Sequence, residues 1–448
     1  MGRIFGTDGV RGIANGDLTI ELAMNIGRAA GMVVEEAIGR RPTFLVGKDT
    51  RISSDMLEAA MAAGLCSAGA NVIHLGVVPT PAVALLVKKY QAHAGIMLSA
   101  SHNPFEYNGI KIFSAQGYKL LDAQEEEIEQ IVLDNIKPYG IKTADEIGTI
   151  SYADSAVEDY VEYLKTTIPC DLSGLKVAID CSNGSASVTA EKLFGGLGAR
   201  CHILNCTPDG KNINQGCGST HMEGLCSVMR QGDYDVGLAF DGDADRCLAV
   251  DENGELVDGD KMIALFAHHM KGQGKLKNNT AVATVMSNLG LFKFAEKHGI
   301  LTKATKVGDR YVLECMLQED YRIGGEQSGH IIFLDHMTTG DGQLSGLQLL
   351  SILKETGRPL SEVASIMETY PQTLVNVHAT PEMKAALDRD ADIKETIQRL
   401  GAQLGDNGRI LVRPSGTEPL IRVMVEGQDQ QEISAIAEEI ARTIQSKG

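Results

Sequence analysis

Residues 95–104 read Gly-Ile-Met-Leu-Ser-Ala-Ser-His-Asn-Pro, an apolar run that stops at two hydroxyls, a histidine and a helix-forbidding Asn-Pro. Such a run predicts a buried strand delivering Ser101 to a rigid turn at its carboxyl end, where open α/β sheets place their chemistry. A nucleophile there needs partners, and Asp241-Gly-Asp-Ala-Asp-Arg246 offers them. Carboxylates at alternate positions can converge on one side of an extended loop, while Gly242 and Ala244 keep the other side clear. Three hard oxygen ligands with no thiol or imidazole favour magnesium over zinc. A calcium loop does not fit, because no glutamate follows at the required offset and Arg246 opposes cation binding. Together the segments suggest a serine carrying phosphate beside a divalent cation. The plainer reading makes 241–246 an acidic hairpin turn before Cys247–Val250. The run Gly237–Phe240 favours a buried strand end over an exposed hairpin.

Two further segments suit an anionic, polar substrate. Arg413-Pro-Ser-Gly-Thr-Glu-Pro419, followed by Arg422, joins two strands by a turn rich in N–H donors and hydroxyls, flanked by guanidiniums able to grip oxygens bidentately. Gly324-Gly-Glu-Gln-Ser-Gly-His330 sets a carboxylate, an amide and a hydroxyl between glycines, groups suited to a sugar's hydroxyls or an amine. Lys111, in Asn108-Gly-Ile-Lys-Ile-Phe113, sits on a returning strand that could bring its ammonium near Ser101; a surface lysine is the alternative. His102 is either a proton carrier or a structural histidine bonded to backbone.

The elements that must position these groups follow from the alternation of strand-like and amphipathic helical runs, which predicts parallel βαβ units. In a first segment Phe44–Val46 leads to a helix near 54–68, and strands at 71–75 and 94–98 flank a helix at 81–90. A second has strands at 175–180, 200–204 and 236–240 with helices over 187–198 and 221–231. A third has strands at 281–285 and 331–334 with helices near 290–298 and 309–318. The similar order suggests an internal repeat carried by topology. Each segment also places an acidic-basic turn after a strand, at Gly47–Arg51, Gly242–Arg246 and Val307–Arg310. After Tyr370-Pro371 the pattern becomes a short β-α-β-β-α run, with strands at 373–378, 409–412 and 421–425, a charged helix over 381–404 and another over 429–445. The expected fold is α/β: three similar α/β domains with mixed, mostly parallel sheets over 1–153, 154–255 and 256–368, and an α+β domain over 369–448.

Composition narrows the function. The 448 residues leave room for about three domains by size. A net charge of −18 argues against a nucleic-acid or anionic-membrane surface, so positive charge must be focused locally. Arg11, Lys48, Arg51, Lys111, Arg246, Lys306, Arg310, Arg413 and Arg422 all lie in or beside turns, although any chain has basic residues there. Nine cysteines without a Cys-x-x-Cys pair read as reduced, packed thiols. With no signal-like or membrane-length apolar stretch, the expected location is the cytoplasm.

Taken in order, Ser-Ala-Ser-His-Asn-Pro, Asp-Gly-Asp-Ala-Asp-Arg, Gly-Glu-Gln-Ser-Gly-His and Arg-Pro-Ser-Gly-Thr-Glu-Pro resemble the α-D-phosphohexomutase superfamily across nearly the whole chain. The opening Phe5-Gly-Thr-Asp-Gly-Val-Arg-Gly12 and Gln327 are similar to its glucosamine phosphate branch. The resemblance implies four domains around a central cleft, a phosphoserine at Ser101, and one magnesium per chain held by that phosphate with Asp241, Asp243 and Asp245. It implies that Arg246 neutralises the phosphoryl group in transit, with Lys111 or His102 as general acid/base. Glu326 and Ser328 would hold sugar hydroxyls beside Thr305, Gly308 and Asp309, with Arg11 at the substrate. Arg413, Ser415, Gly416, Thr417 and Arg422 would grip the idle phosphate. The implied reaction interconverts glucosamine 6- and 1-phosphate through a 1,6-bisphosphate that is also the activator, feeding UDP-N-acetylglucosamine and cell-wall precursors. A homodimer is the assembly to test. Ala244 departs from a frequent glycine, and Tyr107 from a frequent aspartate, which bears on the choice of sugar. The alternatives are a glucose or mannose phosphate mutase, a sugar-phosphate phosphatase, or a silent sensor.

Overall fold

The structure, a computed structural model, describes residues 2–6, 8–387, 389–415 and 419–447. They gather into two compact units, one running up to Met286 and including Ile300–Ile366, the other comprising Ser287–Gly299 and the chain from Met367 onward.

The first unit holds three mixed sheets. In spatial order the first is Phe5–Gly6, Gly9–Ile13, Tyr107–Ser114, Ala94–Leu98, Thr43–Lys48, Asn71–Val77 and Ile150–Tyr152. The second is Leu256–Val257, Cys247–Val250, Val236–Phe240, Lys176–Asp180 and Arg200–Leu204, and the third Leu301–Thr305, Thr280–Thr284, Ile323–Gly325 and Ile331–Phe333. Each has a parallel block and an antiparallel flank. Ala94–Leu98, Val236–Phe240 and Thr280–Thr284 are buried at every residue, as expected of strands covered on both faces.

Topology carries the internal repeat more sharply than the spacing of turns does. In every sheet the last parallel strand turns back into the first antiparallel one, Ala94–Leu98 into Tyr107–Ser114, Val236–Phe240 into Cys247–Val250, and Ile323–Gly325 into Ile331–Phe333. The three connections are the serine, aspartate and Glu326 loops. By contrast, the three acidic-basic turns are not equivalent: Gly47–Arg51 follows the second parallel strand of its sheet, Val307–Arg310 the outermost, and only Gly242–Arg246 lies at the reversal.

Other departures have local causes. The helix expected over 187–198 breaks into a 3-10 turn at Ser185–Val188, a short helix Ala190–Phe194 and a second turn at Gly195–Leu197, since Gly195, Gly196 and Gly198 weaken helix here. The helix expected over 381–404 is two, Pro381–Ala386 and Ala391–Leu404, because the Asp390 carboxylate accepts from Ile393 N at 3.0 Å and starts a new one. Among the described residues no helix is long and apolar enough to cross a membrane, and all nine cysteines are free thiols.

Helix Gly342–Thr356 begins at a fully buried Asp341, which accepts from Leu344 N at 2.9 Å and from the Tyr160 hydroxyl at 3.0 and 2.9 Å. Burial outweighs these bonds and pushes the Asp341 carboxyl up to about 7. A folded-state value above the unfolded one gives stability that is complete below about pH 4 and lost as pH rises through about 7. Asp341→Asn keeps the cap and removes the titration. Its melting temperature should therefore gain on wild type between pH 5.5 and 8; parallel pH profiles would contradict this.

The second unit has an antiparallel sheet of Gln372–His378, Leu420–Glu426 and Arg409–Pro414, backed by Ala391–Leu404 and Gln430–Gln445. Helix Leu289–Lys297, which lies within the 256–368 span, packs with this unit. A buried Glu426 carboxylate accepts from Asn288 Nδ2 and Leu289 N, each at 3.1 Å, and pairs with Arg409. No sequence pattern announces that link.

Candidate active site

Ser101 follows the buried strand Ala94–Leu98 and stands in left-handed backbone, φ 52°. It is 1% exposed, and its hydroxyl donates to Asp241 Oδ2 at 2.6 Å. The aspartate loop is the end of a hairpin, as the plainer sequence reading holds, but a buried one. Phe240 faces Cys247 across the ladder, and Asp241 and Asp243 are 0% exposed. The two loops approach so closely that a Cβ on Gly242 would lie 2.6 Å from the Ser101 carbonyl oxygen. Ala244 takes the left-handed backbone a glycine would favour, φ 55°. Ala244→Gly relieves that strain but removes a buried methyl, so the two offset to within about 1 kcal/mol. Ala244→Val adds branching and volume and should cost about 3 kcal/mol by calorimetry.

One ligand oxygen each from Asp241, Asp243 and Asp245 lie within 4.8 Å of one another. Asp243 Oδ1 and Asp245 Oδ1 are buried and have no hydrogen-bond partner among the described residues. Orphaned carboxylate oxygens in an all-oxygen cradle fit a hard divalent cation such as magnesium. The second oxygens are spoken for: Asp243 Oδ2 accepts from the Thr80 hydroxyl at 2.6 Å and from Lys111 Nζ at 2.9 Å, which lies 3.3 Å from Asp245 Oδ2. Burial and then the two neighbouring carboxylates hold the Asp241 carboxyl well above the usual range.

Cations surround this cluster. Lys111 is fully buried; the desolvation that disfavours its charge is outweighed by Asp243, Asp8 and Asp245, which raise its ammonium well above the ordinary value. Lys119 bridges Asp8 and Asp309, each at 2.6 Å, so the Asp309 carboxylate is engaged by an ammonium. Arg11 pairs with Asp8, and its Nε and that of Arg246 are buried with no hydrogen-bond partner among the described residues. Unused guanidinium donors beside the serine suit phosphoryl oxygens. His102 Nδ1 is 3.4 Å from Ser101 Oγ, and burial, then Arg246 and Arg11, push the imidazole down to about 4. At neutral pH His102 is therefore uncharged and weakly basic, while Lys111 is a cation.

The Glu326 loop is built as a rigid turn. Glu326 Oε1 accepts from Gly308 N at 3.1 Å, tying the loop to the start of helix Asp309–Glu319. Gln327 Nε2 donates to Asp258 Oδ2 at 3.1 Å. The Thr305 hydroxyl is used on backbone carbonyls at 3.3 and 2.9 Å, and Ser328 lies half-buried in the turn. In the second unit Arg413 and Arg422 face each other directly across the strand pair. Burial, then Arg422, lowers the Arg413 guanidinium, and opposed like charges are unfavourable without an anion. Ser415 is buried beside them, and Gly416 and Thr417 lie outside the described residues.

Sequence reasoning missed Asp8, Thr80, Lys119 and His330 as site members. His330 is buried with Nδ1 3.7 Å from Asp245 and Nε2 3.7 Å from Asp309; these carboxylates overcome burial and push the imidazole up to about 9. Asp8 and His330 stand inside motifs the sequence singles out, whereas nothing local marks Thr80 or Lys119.

Family models of phosphoglucomutase/phosphomannomutase match in order: alpha/beta/alpha domain I over residues 2–138, domain II over 158–254, domain III over 258–370 and the C-terminal domain over 374–443. The chain belongs to the phosphoglucomutase/phosphomannomutase family. Among its relatives in that family, the phosphoglucosamine mutase of Clostridium novyi is 55% identical over 448 residues, covering 100% of this chain and 99% of the relative. That of Acetivibrio thermocellus is 54% identical over 447 residues, covering 100% of both. A phosphoglucomutase/phosphomannomutase family protein from Burkholderia thailandensis superposes with a TM-score of 0.84 at 25% identity, over 100% of this chain and 98% of the other. The N-acetylphosphoglucosamine mutase of Aspergillus fumigatus, solved with GlcNAc-6P and magnesium, shares the fold at 17% identity and a TM-score of 0.71, over 100% and 96% of the chains.

Proposed function

We propose that the protein is a phosphoglucosamine mutase, an isomerase interconverting glucosamine 6-phosphate and glucosamine 1-phosphate. The observation that carries the mechanism is the buried Ser101 hydroxyl at 2.6 Å from Asp241, inside a carboxylate cradle with two orphaned oxygens. The choice of sugar draws on relatives of that name at 52–55% identity over the full chain. Phosphorylated Ser101 donates its phosphoryl group to the sugar's free oxygen, giving a bound 1,6-bisphosphate. The other phosphate of that bisphosphate then returns to Ser101. Magnesium, one per chain at Asp241, Asp243, Asp245 and the serine phosphate, would supply charge neutralisation for the transferring group.

Arg246 and Arg11 hold phosphoryl oxygens, and Glu326 with Ser328, Thr305, Gly308 and Asp309 forms the sugar-binding region. Arg413, Ser415, Gly416, Thr417 and Arg422 form a phosphate clamp. Lys111, whose ammonium stands among Asp243, Asp8 and Asp245, is the candidate general acid/base, and neutral His102 is the weaker candidate for proton transfer. The organisation into domains at 1–153, 154–255, 256–368 and 369–448, bisphosphate as activator, a cytoplasmic location and a homodimer complete the reading.

Comparing kcat/KM for glucosamine, glucose and mannose phosphates with a bisphosphate primer tests it. Glucosamine phosphate should be preferred by at least about tenfold, since a site built to bond an amine rejects its hydroxyl analogue. Preference for glucose or mannose phosphate would overturn the assignment of sugar. Inorganic phosphate released in step with substrate loss would make the protein a hydrolase, and binding without turnover a sensor.

A further inference from the structure

The backbone of Ser101 is held from below by groups to which no role has been assigned. Arg51 is 2% exposed, and all its donor nitrogens are engaged. Nε donates to Asp49 Oδ2 at 2.8 Å, Nη1 to the carbonyls of Pro104 and, at 3.1 Å, Tyr107, and Nη2 to those of Ser101 and Asn103, both at 2.8 Å. Asn214, from the part of the chain that carries the second sheet, donates through Nδ2 to the same two carbonyls, Ser101 at 2.9 Å and Asn103 at 3.1 Å. The amide side of the serine is fixed as well. Ser101 N donates to Ser99 Oγ at 2.9 Å, and Ser99 Oγ donates to Asp49 Oδ2 at 2.6 Å.

A fully buried ion pair is a poor way to stabilise a fold, because apolar side chains of similar volume do as well or better. Its use here is geometric. Left-handed backbone at a non-glycine residue persists only where the surroundings over-determine it, and such sites cluster at functional groups. We propose that Arg51 and Asn214 are positioning residues for phosphoryl transfer: gripping the same two carbonyls from different parts of the first unit, they lock Ser101 left-handed with its Oγ directed at Asp241. Neither touches the reacting atoms. Their effect is on the alignment of the phosphoserine with its acceptor, and in phosphoryl transfer alignment and charge supply nearly all of the catalysis.

The inference rests on Ser101 as the phosphoryl carrier. Arg51→Lys and Asn214→Ala are compared with wild type for kcat, KM, magnesium affinity by calorimetry, and the rate at which the isolated phosphoenzyme loses phosphate to water. Misplacement on the ångström scale predicts a fall in kcat of about 100-fold in Arg51→Lys and about tenfold in Asn214→Ala. KM should stay within about threefold, magnesium affinity of the unphosphorylated chain, set by the three aspartates, should be unchanged, and the share of phosphate lost to water should rise. A purely structural role would not split kcat from KM in this way. If Arg51→Lys does not fold, Asn214→Ala decides alone. Wild-type kcat in the folded variants, or a fall matched by weaker magnesium binding or a raised KM, would overturn the proposal. A wild-type chain without phosphate on Ser101 would instead overturn the reading beneath it.

Discussion

Ser101→Ala should lower kcat by at least about 10^4-fold, because on the proposed mechanism it removes the atom that carries the phosphoryl group rather than one of several groups that stabilise its transfer. Ser99 cannot take its place. Its hydroxyl is committed to Asp49 and to the Ser101 amide, and it is 0% exposed. Water cannot substitute either, since a mutase that loses phosphate to water has no means of returning it to the other end of the sugar. The fold should tolerate the change: alanine loses one hydrogen bond to Asp241 and keeps the carbonyl contacts of Arg51 and Asn214. Steady-state turnover checks this, with intact mass showing that the phosphate present on wild type is gone. Turnover within about tenfold of wild type would contradict a covalent role for the serine.

Asp243→Asn should lower kcat by about 10^3-fold and weaken magnesium binding, and chelation of wild type should reproduce the loss reversibly. The substitution keeps the shape of the side chain but removes a ligand charge. Its orphaned oxygen faces the cradle, while its partner accepts from Thr80 and Lys111. Asp241, held well above its usual range by burial and by Asp245 and Asp243, keeps its proton to higher pH in the metal-free protein. The cation must displace that proton, so magnesium affinity falls as pH falls. Calorimetric titration at two pH values checks the sign. Full activity in chelator would contradict the role of the cradle.

How far the sequence discloses this site depends on how local each interaction is. The strand Ala94–Leu98, the aspartate loop and the returning strand of Lys111 are legible because apolar runs and turn residues adjoin the functional groups in the chain. Lys111 does reach the site, though it donates to Asp243 and Asp245 rather than to the serine. Thr80 and Lys119 are invisible to the same reasoning, since their partners Asp243 and Asp309 lie 163 and 190 residues away. The repeat is visible in the order of elements, yet its true marker, the reversal from parallel to antiparallel in each sheet, needs strand pairing that no single segment encodes. The same holds for Leu289–Lys297, whose place is set by Glu426.

The most direct test of a phosphoserine mutase is the fate of the phosphate on the enzyme. Enzyme carrying a radiolabelled phosphate on Ser101 is mixed with unlabelled glucosamine 6-phosphate and quenched within a single turnover. Label should leave the protein, pass through a sugar bisphosphate and accumulate in glucosamine phosphate, with the protein rephosphorylated by unlabelled phosphate. Label that remains on the protein while product forms, or that emerges as inorganic phosphate, would contradict the account.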